Sequence, residues 1–279
     1  MRKEKVIEFW NRKELLSLDN QKYKEYLDKY ITERLQEDKL REDITTLNLV
    51  SENKEINAQI VSREKGVVSG VAEISYFLGK QNVRFISTRK DGDLIEEGDV
   101  IFELSGNARK ILSFERVVLN ILQRMCGIST MSNNLVRESG DCFITGTRKT
   151  LVHYLDKKAI SVGGGLTHRL DLRDAVLVKD NHLRVLDGDN LNAIKNTLVK
   201  LNTELSGSRI EIEVGNREEV LGAVGVIISL ESRNNKFALL LDNMNSKDIQ
   251  EVINEVKEKD IYDNILFEAS GDINELNFK

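Results

Sequence analysis

The residues best suited to chemistry come in short polar clusters, each at the end of an apolar run. They are Thr147-Arg148-Lys149-Thr150, Lys179-Asp180-Asn181-His182, the pair Glu211 and Glu213, Asp242-Asn243, and Glu268-Ala269-Ser270-Gly271. Between the first two lies Gly163-Gly164-Gly165-Leu166-Thr167-His168-Arg169. If these clusters meet, one site holds several cations and a few carboxylates. Arginine binds phosphate and carboxylate bidentately, and lysine binds them as a point charge. Carboxylates suit Mg2+ carried by a diphosphate, or ribose hydroxyls. The chemistry expected is the handling of an anionic small molecule.

The elements that position these clusters are legible from periodicity. CFITGT, DAVLVKD, RIEIEV, FALLLDN and ILFEAS read as strands, each followed by polar residues and a helical pattern. Repeated β-then-α units imply a parallel sheet, and strand ends are where α/β barrels place their chemistry. Upstream, residues 17–40 read as a helix with Tyr23, Leu27, Tyr30, Ile31 and Leu35 on one broad face and Ser17 or Asp19 as its cap. Residues 56–74 alternate and break at glycines, which predicts strands, and VRFIST reads as another. In RKDGDLIEEGDVIFELSG the Asp91-Gly92 and Gly98-Asp99 pairs mark turns between short β runs. Residues 107–137 return to helical spacing, with Ile111, Phe114, Val118, Leu122 and Met125 as an apolar stripe.

Composition bounds the answer. The 279 residues suffice for one large domain or two smaller ones, and 40% hydrophobic with 31% charged residues supports a packed core rather than disorder. A net charge of -5 argues against nucleic acid as a partner. No apolar run is long enough for a membrane span, and the N-terminus lacks a signal-peptide core, so a cytoplasmic protein is expected. Cys126 and Cys142 have no CxxC spacing and read as two free thiols. Proline is absent, so no prolyl isomerisation step can slow folding.

Taken in order, GTRKT, GGGxxHRLxLxDAVLVKDNH, IEIEV, LLLDNM and FEASG resemble the signature of the quinolinate phosphoribosyltransferase family, whose members are also called nicotinate-nucleotide pyrophosphorylases (carboxylating). EDxxxxDITT, SREKGVVSG and FERVVLNILQRMCGIST resemble its N-terminal domain, and the likeness covers roughly residues 35–275. The ordered set is far more specific than any one tetrapeptide.

The resemblance implies an α/β protein: an N-terminal α/β sandwich over residues 1–115 and an open α/β barrel over 116–279, shortened at its C-terminus. Relatives continue through a further helix, a strand resembling SVGxLTHS and a return segment. It implies a phosphoribosyl transfer from phosphoribosyl diphosphate to quinolinate with decarboxylation, giving nicotinate mononucleotide, diphosphate and carbon dioxide. Mg2+ would accompany the diphosphate, and no organic cofactor is needed.

The roles carried over are these. Arg116 reaches into the site of a partner subunit in a homodimer. Arg148 and Lys149 bind substrate carboxylates or phosphate, and His168, Arg169 and Lys179 complete the cationic pocket. Glu213 and Asp242 face the phosphoribosyl diphosphate and its Mg2+, with Lys149, Lys179, Glu213 and Asp242 forming the catalytic set. Ser270 and Gly271 hold the ribose 5-phosphate, although the family's SGG reads SGD here, placing Asp272 beside an anion. His182 is expected to orient its neighbours, and the triple glycine to bring backbone close to ligand. The other readings are an inactive relative serving as a binding or assembly subunit, and a paralogue associated with molybdate transport that takes a different substrate.

Overall fold

The computed structural model describes residues 2–186, 189–230, 234–259, 262–271 and 273–274. Asp272 lies outside the described residues. The chain divides into two units, Trp10–Leu170 and Met1–Phe9 with Asp171–Lys279. Helix α1 (Arg2–Trp10) opens the chain. Residues 2–9 belong with the C-terminal unit because basic side chains tie them there. The Arg2 guanidinium lies 3.5 Å over the Tyr262 ring, and Lys5 Nζ donates to the Asp263 carbonyl at 2.8 Å.

In the unit of residues 10–170, α2 (Gln21–Glu37) starts later than the periodicity predicts. Its cap is Asn20, whose side chain accepts the Lys22 and Tyr23 N–H groups; neither Ser17 nor Asp19 takes that place. Next come α3 (Ile44–Leu49), β1 (Glu55–Val61) and β2 (Gly66–Val67). The expected strand through Val71–Ile74 is instead the start of α4 (Val71–Lys80). Gly70, at φ +98°, turns the chain, and Asp91 Oδ1 accepts the Val71 N–H at 2.8 Å from twenty residues away. The buried residues Val71, Ile74, Phe77 and Leu78 then follow helical spacing, which a short window of alternation hides. Strands β3 (Arg84–Ser87), β4 (Leu94–Ile95) and β5 (Val100–Asn107) complete two small sheets, one ordered β1-β5-β3 and one pairing β2 with β4.

The long helix α5 (Ala108–Glu138) begins where the Asn107 side chain accepts the Lys110 N–H. The division set between residues 115 and 116 falls inside this helix. The predicted stripe of Ile111, Phe114, Val118, Leu122 and Met125 is buried in the core of this unit. CFITGT, expected as a strand, forms among the described residues an isolated parallel bridge, Thr145 to Leu166. Helix α6 (His153–Val162) lies between the two motif loops and runs against α5.

The glycine run after α6 serves packing. A Cβ on Gly163 would lie 2.3 Å from the Ser129 carbonyl oxygen of α5, and one on Gly165 would lie 2.8 Å from Ile160 of α6. Gly164, at φ +97°, makes the turn that ends the helix. Gly163→Ala therefore lowers stability by about 1–3 kcal/mol through overpacking against backbone. A urea midpoint equal to wild type would show that α5 and α6 can separate at no cost.

In the other unit, β6 (Val176–Val178), β7 (Arg209–Val214), β8 (Lys236–Asp242) and β9 (Ile265–Ser270) form a parallel sheet in sequential order, as barrel strands do. The short α7 (Asp180–Leu183) and helices α8 (Asn190–Glu204), α9 (Arg217–Ser229) and α10 (Ser246–Glu258) provide the crossovers. Ile210, Ile212, Val214, Phe237, Leu239, Leu241 and Ile265 pack with residues of these helices into one core. Strand alternation then puts Lys179, Glu211, Glu213, Asp242, Glu268 and Ser270 on the opposite face. This is an α/β fold with an N-terminal domain and a C-terminal parallel-sheet domain.

Candidate active site

The C-terminal strand ends gather a cluster of charged candidate residues within one unit. Strand β6 stops at Val178, and Lys179 follows in extended backbone. The Lys179 N–H donates to His182 Nδ1 at 2.9 Å, so His182 orients the start of α7. Lys179 Nζ lies 4.0 Å from Glu213 Oε2, with the lysine half-exposed and the glutamate largely buried. Burial pushes the Glu213 carboxyl above its usual range, and the nearby Asp242 carboxylate adds to this, while Lys179 and the Asp180 N–H oppose it.

Asp242 ends β8, paired in register with Ser270 of β9. Ser270 Oγ donates to Asp242 Oδ1 at 2.6 Å, and Asn243 Nδ2 donates to Asp242 Oδ2 at 2.7 Å. The Asn243 N–H donates to the Ser270 carbonyl at 2.9 Å, which locks the two strand ends together. Only glycine fits at 271, where φ is +86° and a Cβ would lie 2.1 Å from Asn243 Oδ1. Lys179, Glu213, Asp242 and Ser270 thus form one charged row, and its oxygens are the hard donors that Mg2+ takes.

The other cations lie in the unit of residues 10–170. Arg148 and Lys149 are exposed on a short loop in which the Lys149 N–H donates to Thr147 Oγ1 at 2.9 Å. His168 and Arg169 are buried. His168 holds a left-handed backbone, φ +55°, a conformation a non-glycine residue adopts at a cost. Its Nδ1 accepts the Arg169 N–H at 2.7 Å. Arg116 is exposed on α5 and lines a groove of about 360 Å3 with Tyr30, Arg34, Glu37, Asp38 and Asn120.

Sequence reading passed over a second layer around these loops. Asp156 and Lys157, adjacent on α6, are 3% and 0% exposed, whereas a charged run on a helix ordinarily reads as a solvated face. Arg124 of α5 grips Asp156 with two bonds of 2.6 Å. The available signal was spacing, since both residues sit between the buried Leu155 and Ala159.

Comparison with known proteins shows the family to which the chain belongs. Residues 43–126 match the N-terminal domain of quinolinate phosphoribosyl transferase, and residues 128–279 match its C-terminal domain. A probable nicotinate-nucleotide pyrophosphorylase [carboxylating] of Methanothermobacter thermautotrophicus is 31% identical over 250 residues, covering 87% of this chain and 85% of its own. One from Methanocaldococcus jannaschii is 33% identical over 264 residues, covering 91% and 87%. The crystal structure of NadC from Streptococcus pyogenes superposes with a TM-score of 0.75 at 28% identity, covering 89% of this chain and 85% of that one. Among the described residues no helix is long and apolar enough to cross a membrane. With two domain matches that together span most of its length, the chain belongs to the quinolinate phosphoribosyl transferase family.

Proposed function

We propose that this chain transfers a phosphoribosyl group from phosphoribosyl diphosphate to quinolinate with loss of carbon dioxide, forming nicotinate mononucleotide and diphosphate. The reading rests above all on the charged row at the strand ends, with Lys179 4.0 Å from Glu213 and Asp242 bonded to Ser270, in a chain of this family. A pyridine dicarboxylate needs fixed cations, and Arg148, Lys149, His168, Arg169 and Lys179 supply them. Glu213 and Asp242 stabilise the positive charge that grows on the ribose carbon as diphosphate leaves. Ser270 and Gly271 hold the 5-phosphate. The ring nitrogen, once alkylated, stabilises the carbanion left by decarboxylation, so no organic cofactor is needed.

Glu213 and Asp242 are the residues that would hold Mg2+ entering with the diphosphate, and the ion would neutralise charge on the leaving group. The chain works as a homodimer with Arg116 in trans, a reading supported by the exposure of Arg116 on a grooved surface of α5. It works in the cytoplasm, where the free thiols of Cys126 and Cys142 suit a reducing compartment.

The test is quinolinate-dependent release of diphosphate from phosphoribosyl diphosphate with Mg2+ by the purified chain. Release that falls at least about tenfold in Arg148→Ala supports the reading, because a bidentate anion contact is lost. Absence of release from folded protein sinks it.

A further inference from the structure

The two loops that carry the cations are each tied to the same turn of α6. On one side, Thr150 Oγ1 donates to Asp156 Oδ2, and the Val152 N–H donates to the same oxygen at 3.1 Å. The Thr150 N–H in turn donates to the Arg148 carbonyl at 3.0 Å, so the end of the Arg148-Lys149 loop hangs on Asp156. Arg124 fixes that carboxylate through two parallel bonds, the strong fork geometry for a guanidinium.

On the other side, Lys157 Nζ donates to the Thr167 carbonyl. That carbonyl belongs to the peptide leading into His168, the residue held at φ +55°. Thr167 Oγ1 also accepts the Arg12 N–H at 2.7 Å. A strained backbone persists only where its surroundings over-determine it, and such positions cluster at functional sites. Two adjacent charges withdrawn from water are costly to keep and need partners. Here each is bonded to a different functional loop.

We infer that Asp156 and Lys157 are a pair of positioning residues: Asp156, braced by Arg124, sets the Arg148-Lys149 loop, and Lys157 sets the left-handed turn that presents His168 and Arg169. Neither touches substrate. One helix turn thereby keeps two cationic loops in register with each other, and the inference rests on the proposed role of those cations.

The test uses Thr150→Val, which removes a tether without leaving a buried charge unpaired, together with Lys157→Met and the conservative Thr150→Ser. Amide hydrogen exchange of the free chain reports the tethers without any substrate. Steady-state kinetics with quinolinate and phosphoribosyl diphosphate report their use. Exchange at residues 149–152 rises at least about tenfold in Thr150→Val, and at 167–169 in Lys157→Met, each leaving the other loop unchanged. Both variants stay folded with a urea midpoint lowered by the lost bond. They lose about ten- to a hundredfold in kcat/KM under conditions where they are fully folded, the scale expected from a misplacement of about 1 Å; Thr150→Ser recovers most of it.

Folded Thr150→Val with wild-type kinetics overturns the inference, whether or not its exchange is faster, because the tether would then be structural only. A wild-type chain that releases no diphosphate overturns the reading of the reaction instead. In that case quinolinate affinity measured by calorimetry decides the inference: weaker binding in Thr150→Val supports it, and equal or absent binding defeats it.

Discussion

Glu213→Gln lowers kcat for diphosphate release by about two to three orders of magnitude and leaves the KM for quinolinate nearly unchanged. The substitution keeps the side chain's shape and one acceptor oxygen. What it removes is a negative charge on the face of β7 that Lys179 and Asp242 share. A preorganised charge aimed at a developing opposite charge typically contributes about 10²–10³ in rate, and that charge exists only as the ribose–diphosphate bond breaks. Quinolinate is held by the cations and keeps its KM, whereas the KM for phosphoribosyl diphosphate rises to the extent that Glu213 also holds Mg2+ in the ground state.

The pH dependence of the reaction follows from the same geometry. Burial and Asp242 hold the Glu213 carboxyl above its usual range, so the rate of wild type falls on the acid side as that carboxyl takes up a proton. Glu213→Gln removes this acid limb. Single-turnover measurements across the acid range check both statements, and an acid limb that persists in Glu213→Gln would assign it to another group.

Arg124→Ala costs about 3 kcal/mol of stability, read as a lowered urea midpoint at neutral pH. Asp156 has a side chain only 4% exposed, and its carboxylate would lose both guanidinium bonds while staying buried. Stripping one partner from a buried ion pair costs about 3–5 kcal/mol, and the lower figure applies because the arginine is about a third exposed.

The pH profile gives the sign. Burial alone would raise the Asp156 carboxyl, but bonds from Arg124, Thr150 and the Val152 N–H outweigh it and hold the group below its usual range. A carboxyl depressed in the folded state contributes stability above its unfolded pKa of about 3.9, and that stability is lost as pH falls toward the folded value. Wild type therefore loses more stability below pH about 4 than Arg124→Ala does. Parallel urea titrations at neutral and acid pH decide it, and identical acid slopes would remove the pair from the account.

The sequence by itself determined the parts that depend on local pattern. RIEIEV, FALLLDN and ILFEAS read as strands from their short apolar runs, and in RIEIEV the alternation put the isoleucines on one face and Glu211 and Glu213 on the other, because successive strand residues point to opposite sides. All three became strands of one parallel sheet with Glu213, Asp242 and Ser270 on the same face. The stripe in residues 107–137 likewise became α5. The ordered motifs were specific enough to mark the family.

Only the tertiary structure decided what depends on long-range partners. Helix α4 exists as such because Asp91 caps it across twenty residues of chain, which no window of alternation can register. Glu73, fully buried on that helix, is accommodated by the Tyr23 hydroxyl at 2.7 Å, a partner fifty residues away. That Gly163 must be glycine for packing is set by the α5 carbonyl that any Cβ there would strike, a partner more than thirty residues upstream. Asp156 and Lys157 carried no motif, since their importance lies in what folds against them. A charge's role is set by its burial and its partners, and both are properties of the packed chain rather than of the residue.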